Sequence, residues 1–329
     1  MLRTPFCELV GVEHPIVQAG MGPFGSGSEL AAAVSNAGAL GTLGGVVRPA
    51  EDLRQQLALL RSMTDRPFAV NFTQPWLQQH PESFEIALEL HSPVISLALG
   101  EPGDLPARAH AGDALFIQQV HTVEQAILAA DSGVDVIIAQ GSEAGGFGGR
   151  ISTLALVPQV VDAVSPLPVL AAGGIADGRG LAAALVLGAQ GANIGTRFVA
   201  AEEASVSDTW KRAIVAAASQ DAVKVEVWDD IFDKPGNGAF DVVPRALETP
   251  FVEHWQGQRR VAAAERSRLQ GEIMAAIQQQ NMERFVPFTG QSAGLIADIR
   301  PARDIVLSLV EEATAALQGT SRRYDEKPL

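Results

Sequence analysis

The chain is short of cysteine, of basic residues and of long apolar runs. Cys7 stands alone among 329 residues, so an internal disulfide or a cysteine-built metal cluster cannot form, and a reducing cytoplasm is the expected setting. Lysine and arginine number 24 against 38 acidic residues, a formal net charge of −14. No basic run offsets it, which argues against nucleic acid or an anionic membrane as partner. No uncharged apolar run reaches the ~18 residues of a membrane span, and the opening Met1-Leu-Arg-Thr-Pro-Phe-Cys-Glu8 has no apolar segment behind a charged one. Histidine pairs at metal-ligand spacing, H-E-x-x-H and Ser-His-Asp patterns, internal repeats and low-complexity tracts are missing too, so no metal is expected.

What is present reads as a globular protein, with 47% hydrophobic and 19% charged residues. Short aliphatic runs at residues 16–19, 40–43, 68–71, 94–98, 115–120, 136–140, 169–172 and 192–195 alternate with segments of helical period at 29–36, 51–62, 123–132, 154–164 and 180–187. Eight strands in βα alternation predict a (β/α)8 TIM barrel rather than an open doubly wound sheet. The G-x-G-x-x-G spacing of Gly20-Met-Gly-Pro-Phe-Gly25 follows a strand, but Pro23 interrupts the turn into a helix and the motif is set aside. From about Val223 to Gln258 the rhythm breaks. Trp228 to Gly238 reads as loop, Asp229-Asp230 as a solvated turn, and residues 251–255, 259–283 and 302–317 as helices. The expected organisation is a barrel over 1–222, a small, mostly helical lid or substrate-domain insertion over 223–285, and a segment over 286–329 that returns to the barrel.

Barrel active sites form at the carboxyl ends of the strands. The sixth strand runs into Gln140-Gly-Ser-Glu-Ala-Gly-Gly-Phe-Gly-Gly-Arg150, whose glycines, Gly145 and Gly146 among them, let a backbone approach a flat or anionic ligand. A flexible connection without a ligand is the competing reading. Gly173 and Gly174 before a helix, with Gly195 and Thr196 after the last strand, would aim backbone N–H groups and a hydroxyl at one spot. A helix amino terminus would reinforce that phosphate cradle. Two tight turns with no anion are the alternative. His121 ends the fifth strand and is a candidate base, or a surface residue near a helix start. Arg150 could meet an anionic substrate, His254 could contact substrate from the lid, and His14, His80, His91 and His110 fall away from the mouth.

Together, Gln18-Ala-Gly-Met21, Val70-Asn-Phe-Thr73, Gln140-Gly-Ser-Glu-Ala-Gly-Gly146, Ala171-Ala-Gly-Gly-Ile-Ala-Asp177, Ile194-Gly-Thr-Arg-Phe198 and Gly290-Gln-Ser-Ala-Gly294 resemble the nitronate monooxygenases, also called 2-nitropropane dioxygenases. The resemblance covers nearly the whole chain. It implies FMN, its phosphate at Gly173, Gly174, Gly195 and Thr196 and its ring near Ala19, Gly20, Met21, Asn71 and Thr73. Gln291 is a further cofactor candidate. Gln119 stands where relatives often carry lysine, and a neutral amide stabilises negative charge on the cofactor less than an ammonium does. The resemblance also implies a histidine base after Gly146, where this chain has Phe147. A phenyl ring accepts no proton, and general-base help is typically worth ~10²–10⁴-fold.

The expectation is therefore an FMN-dependent oxidoreductase that oxidises alkyl nitronates with O2 to carbonyl compounds and nitrite, and handles neutral nitroalkanes poorly. Alternatives are an NAD(P)H-dependent flavin reductase of enoyl thioesters, or a non-catalytic FMN-binding protein. The expected partners are a small-molecule substrate and O2, and a homodimer is one assembly open to the chain.

Overall fold

The structure is a computed structural model that describes residues 2–234, 240–279 and 281–325. Eleven strands alternate with helices: β1 (Ile16–Gln18), β2 (Gly41–Gly44), β3 (Phe68–Thr73), β4 (Val94–Ala98), β5 (Leu115–Val120), β6 (Val136–Gln140), β7 (Gly146–Gly148), β8 (Val169–Ala172), β9 (Ala192–Ile194), β10 (Ala222–Lys224) and β11 (Val243–Leu247). Eight of them run parallel in the order β1-β9-β8-β6-β5-β4-β3-β2, and a single bridge between Val17 and Leu40 brings the two ends together. The fold is a (β/α)8 TIM barrel, as the alternation predicts. Every residue of β4 and β6 is buried, the pattern of strands covered on both faces.

Two apolar layers hold the barrel. Outside the strands, helices turn one stripe inward: in Ala50–Met63 the buried residues are Leu53, Leu57 and Leu60, spaced one helical turn apart. Each is fully buried, worth about 1.5–3 kcal/mol by transfer from water. At the amino-terminal end of the strands, the short helix Pro5–Val10 packs Phe6, Cys7 and Val10 against Val17, Leu40, Ala69, Val94 and Val136. Cys7 is thus a fully buried packing residue. The opposite end stays open. The helix Ala302–Asp325, longer than the 302–317 expected, packs on Gly178–Val186, where a Cβ on Gly178 would stand 2.3 Å from the Ala313 nitrogen.

A second, antiparallel sheet of order β10-β11-β7 stands over the open end. It changes two expectations. The glycine-rich loop after β6 contains a strand, because Gly146, Phe147 and Gly148 pair with Arg245, Pro244 and Val243. The loop expected from Trp228 to Gly238 opens with a helical turn, Trp228–Ile231, and its residues 235–239 lie outside the described residues. A separate core of Val225, Ile231, Phe251, Val252, Leu269 and Ile273 joins this sheet to the helices Pro250–Gln256, Arg259–Ala264 and Arg266–Gln278. Asp229 and Asp230 are not a solvated turn: Asp229, its side chain 9% exposed, pairs with Lys234 at 3.0 Å, and Asp230 pairs with Arg259 at 2.6 Å.

Candidate active site

A cavity of about 1160 Å³ opens at the carboxyl ends of the barrel strands. Ala19, Gly20, Met21, Asn71, Thr73, Gln119, Gly145, Gly146, Phe147, Gly173, Gly174, Gly195 and Thr196 all line it, so residues scattered over most of the sequence meet around one space. Gln291 does not. Its backbone N–H is spent on the Glu143 carbonyl at 2.9 Å, and its neighbour Ser292 reaches the wall instead.

After β1 the backbone turns tightly because Gln18 holds it. The Gln18 amide donates to Ser26 Oγ at 2.9 Å, its Oε1 accepts the Thr42 N–H at 2.9 Å, and Ser26 Oγ also accepts the Met21 N–H at 2.8 Å. Gly20 lies so close to Asn71 that a Cβ would come within 2.3 Å of it, and Asn71 Nδ2 donates to Ser96 Oγ at 2.7 Å. This part of the wall is flat backbone with one fixed amide beside it.

At the carboxyl ends of β8 and β9, Gly173 and Gly174 have φ of 99° and 75°, values that side-chain-bearing residues rarely adopt. A Cβ on Gly174 would meet nothing closer than 3.7 Å and one on Gly195 nothing closer than 3.6 Å, so both positions border open cavity. Thr196 Oγ1 accepts the Gly290 N–H at 2.9 Å, which leaves its own O–H free to donate. The helix dipole expected behind Gly173-Gly174 is not available. That helix begins at Gly178, and the Asp177 carboxylate already caps it by accepting from Arg179 N and Gly180 N. What borders the open space here is loop backbone and the threonine hydroxyl, without a helix amino terminus behind Gly173-Gly174.

The loop after β6 is braced from behind by two cations that no sequence motif marks. Lys224 Nζ donates to the carbonyls of Gly148 at 3.0 Å, Gly149 at 3.4 Å and Val243 at 2.9 Å. The Arg245 guanidinium donates to the Ser142 carbonyl from Nε at 3.2 Å and Nη2 at 3.1 Å, and also to Ala222 O. Burial, with Arg245 and Arg150 nearby, pushes the Lys224 ammonium down to about 8. Burial also lowers Arg245, against the raising effect of Glu143. Glu143 itself accepts from Thr153 N at 2.9 Å and Thr153 Oγ1 at 2.9 Å, closing the start of the helix Thr153–Val164.

The candidate base His121 is 4% exposed and its ring does not reach the cavity wall. Burial lowers its pKa and outweighs the hydrogen bond to Gln140 that would raise it. Arg150 is taken by Asp241, with Nη2 to Oδ1 at 3.0 Å, on the exposed side of the loop. His254 sits edge-on to Trp255 and is not on the wall. Among the described residues the titratable groups that line the cavity are Glu101, Asp233 and Lys234, all exposed at its mouth. The interior holds neutral amides, hydroxyls, backbone and aromatic rings.

Comparison with known families matches the chain to the nitronate monooxygenase model over residues 3–85 and 78–312. The chain belongs to the nitronate monooxygenase family. Members of similar sequence carry different names. A 5-hydroxy-7a-methyl-1-oxo-octahydro-1H-indene-4-carboxyl-CoA dehydrogenase of Rhodococcus jostii is 40% identical over 220 residues, 67% of this chain and 62% of that protein, so the match spans less than two thirds of that relative. A probable nitronate monooxygenase of Staphylococcus saprophyticus is 36% identical over 72% of this chain and 78% of its own length. The structure of FabK from Thermotoga maritima superposes with a TM-score of 0.89 at 34% identity, covering 98% of this chain and 100% of that one. This nitronate monooxygenase family member is an oxidoreductase built on the TIM barrel. Its brace of Lys224 and Arg245 escaped the sequence reading because both lie in the irregular stretch after residue 222 and hydrogen-bond only to main-chain carbonyls.

Proposed function

We propose that the chain is an FMN-dependent oxidoreductase whose substrate reaches the cofactor already in a reactive form, with preformed alkyl nitronates as the first class and O2 as the acceptor. The products would be a carbonyl compound and nitrite. The observation that carries this reading is the cavity interior: among the described residues it has no side chain able to take a proton from carbon, and Phe147 occupies the position where the family resemblance implies a histidine.

The wall suits the cofactor. Thr42 Oγ1 and Gln118 Oε1 are buried on it without a hydrogen-bond partner, as polar groups are that await a ligand. Loop N–H groups around Gly174 and Gly195 and the Thr196 hydroxyl would hold the phosphate. Ala19, Gly20 and Met21 would lie against one part of the ring, with Asn71, Thr73 and Gln119 at its polar atoms. Bound flavin supplies two-electron exchange with substrate and a reaction with O2. The protein's own share is to bind and orient both, to keep water away with the aromatic wall, and to offer neutral amides rather than a cation. Residues 223–285 would act as a lid, since Trp228, Phe232, Ile273 and Ile277 reach into the cavity from that segment.

Reduction of enoyl thioesters with NAD(P)H is the second reading. It is favoured by the 40% identity to a dehydrogenase named for a CoA ester and by a cavity larger than the roughly 300–1,000 Å³ of an ordinary ligand site. Anaerobic titration of the purified protein separates the two. Bleaching of the visible flavin band by ethyl nitronate supports the first; bleaching by NADPH alone supports the second. A flavin that neither reagent bleaches would leave a binding protein.

A further inference from the structure

The chain is poor in aromatic residues, 13 Phe, 4 Trp and 1 Tyr in 329, yet among the described residues eight of them stand on the wall of this one cavity. Four touch one another. The Trp228 ring centroid lies 6.0 Å from Phe147, edge to face, 5.2 Å from Phe288, tilted, and 4.3 Å from Phe232, stacked. Phe147 and Phe288 close the triangle at 5.7 Å. The four gather on the second sheet's side from distant parts of the chain: Phe147 from β7, Trp228 and Phe232 from the segment after β10, and Phe288 beside β11.

These rings are not simply core. Each is only partly buried, whereas Val225, Ile231, Val252 and Leu269 in the neighbouring core are fully enclosed. Behind Phe147 lie Ala98, Leu99, Val242 and Phe240, so its ring is fixed on one side and open on the other. The open side faces the cavity, whose titratable lining among the described residues is Glu101, Asp233 and Lys234 at the mouth.

We infer that Phe147, Trp228 and Phe288 form a subsite for a flat, uncharged, apolar group, an aryl or fused ring, carried by the substrate of the proposed reaction. The inference rests on reading this cavity as the cofactor and substrate site. Aromatic rings offset-stack or meet edge to face through their quadrupoles, an attraction a puckered ring of equal size does not share. Phe147 thereby has a positive role: the side chain that removes the base also supplies one wall of the subsite.

The test measures binding without turnover. Acetophenone and cyclohexyl methyl ketone, which share a carbon skeleton but differ in flatness, are titrated calorimetrically into the flavin-loaded protein. Acetophenone should bind tighter by at least about fivefold to tenfold, the effect of two or three ring contacts each at the weak end of the aromatic-pair range. In Phe147→Leu and Trp228→Leu the preference should fall to within about twofold while flavin content is unchanged. An equal affinity of the wild type for both ketones, a preference that survives in both variants, or release of flavin by acetophenone would overturn the subsite. If a variant fails to fold, the wild-type comparison decides by itself. Failure of nitronate to bleach the flavin would strike the proposed reaction and leave this result standing.

Discussion

His121 Nε2 and Gln140 Oε1 lie 2.9 Å apart, and the same oxygen accepts from Gln119 Nε2 at 3.3 Å. The imidazole is buried and out of reach of substrate, while both glutamines line the cavity. With the Gln140 oxygen turned to His121 and Gln119, its amide nitrogen and the Gln119 oxygen are the atoms left to meet a ligand. We propose that His121 is a positioning residue, acting through Gln140 rather than on substrate.

His121→Asn should therefore lower kcat by less than about tenfold, where loss of a general base would cost ~10²–10⁴-fold. It should also change the acid limb of stability. With the folded pKa below the ordinary 6.5, the unfolded chain takes up a proton first, so wild-type stability falls as pH drops through about 6.5. Urea unfolding at pH 7.5 and 5.5 should show a smaller difference in the variant; an equal difference would contradict this account.

Phe147→His places an imidazole on the cavity wall. Turnover of a neutral nitroalkane should rise by about 10²–10⁴-fold in kcat/KM, with turnover of the matching nitronate changed little. Steady-state rates on the two forms, prepared separately, give the ratio directly. A ratio equal to that of the wild type would show that the missing base is not what limits this protein.

Thr196→Val removes the acceptor for the Gly290 N–H and the donor aimed at the proposed phosphate. FMN affinity should weaken by about 10-fold to 100-fold, the range for one hydrogen bond to a charged group, as read by fluorescence titration of flavin-free protein. Thr196→Ser keeps the hydroxyl and should restore most of the loss.

Lys224→Met tests the brace behind the glycine-rich loop. The native ammonium releases its proton near pH 8, the unfolded chain near the ordinary 10.5. Between those values the unfolded state binds more protons, so the contribution of Lys224 to stability rises with pH across that window. Unfolding midpoints at pH 7.5 and 9.5 should show this rise in the wild type and not in the variant. The variant should also be less stable at both, since the carbonyls of Gly148, Gly149 and Val243 lose their donor.

The barrel was legible because its strands are local statements. Val94–Ala98 and Leu115–Val120 are short runs rich in aliphatic and aromatic residues, broken only by Ser96 and by Gln118-Gln119, and the structure ends them where the pattern does. That the glycines at 145, 146, 173, 174 and 195 line one cavity was legible because barrel geometry places strand ends together. The second sheet was not, since Gly146-Phe147-Gly148 becomes a strand only when Val243–Leu247 pairs with it from far along the chain. The surroundings of the proposed phosphate site were half legible. Gly174 and Thr196 were visible, but the role of Asp177 as the helix cap turns on where the helix begins, and the glycines of Gly178–Val186 blur that start.

The barrel's closure has a mechanical consequence. Between β1 and β2 no strand ladder forms: the Val17–Leu40 bridge, the Gln18 N–H to Leu40 O bond at 2.9 Å, the Leu40 N–H to Ile16 O bond at 2.9 Å and the Gln18 side chain on Thr42 do the joining. The ring is closed there by one bridge, and this seam is pinned partly by one amide side chain. Gly20 and Met21 lie just past that pin, beside a seam of one bridge where the β2–β3 and β3–β4 ladders run to four and five pairs. Backbone amides along this seam should trade hydrogen for deuterium sooner than those of the four-pair ladder between β4 and β5.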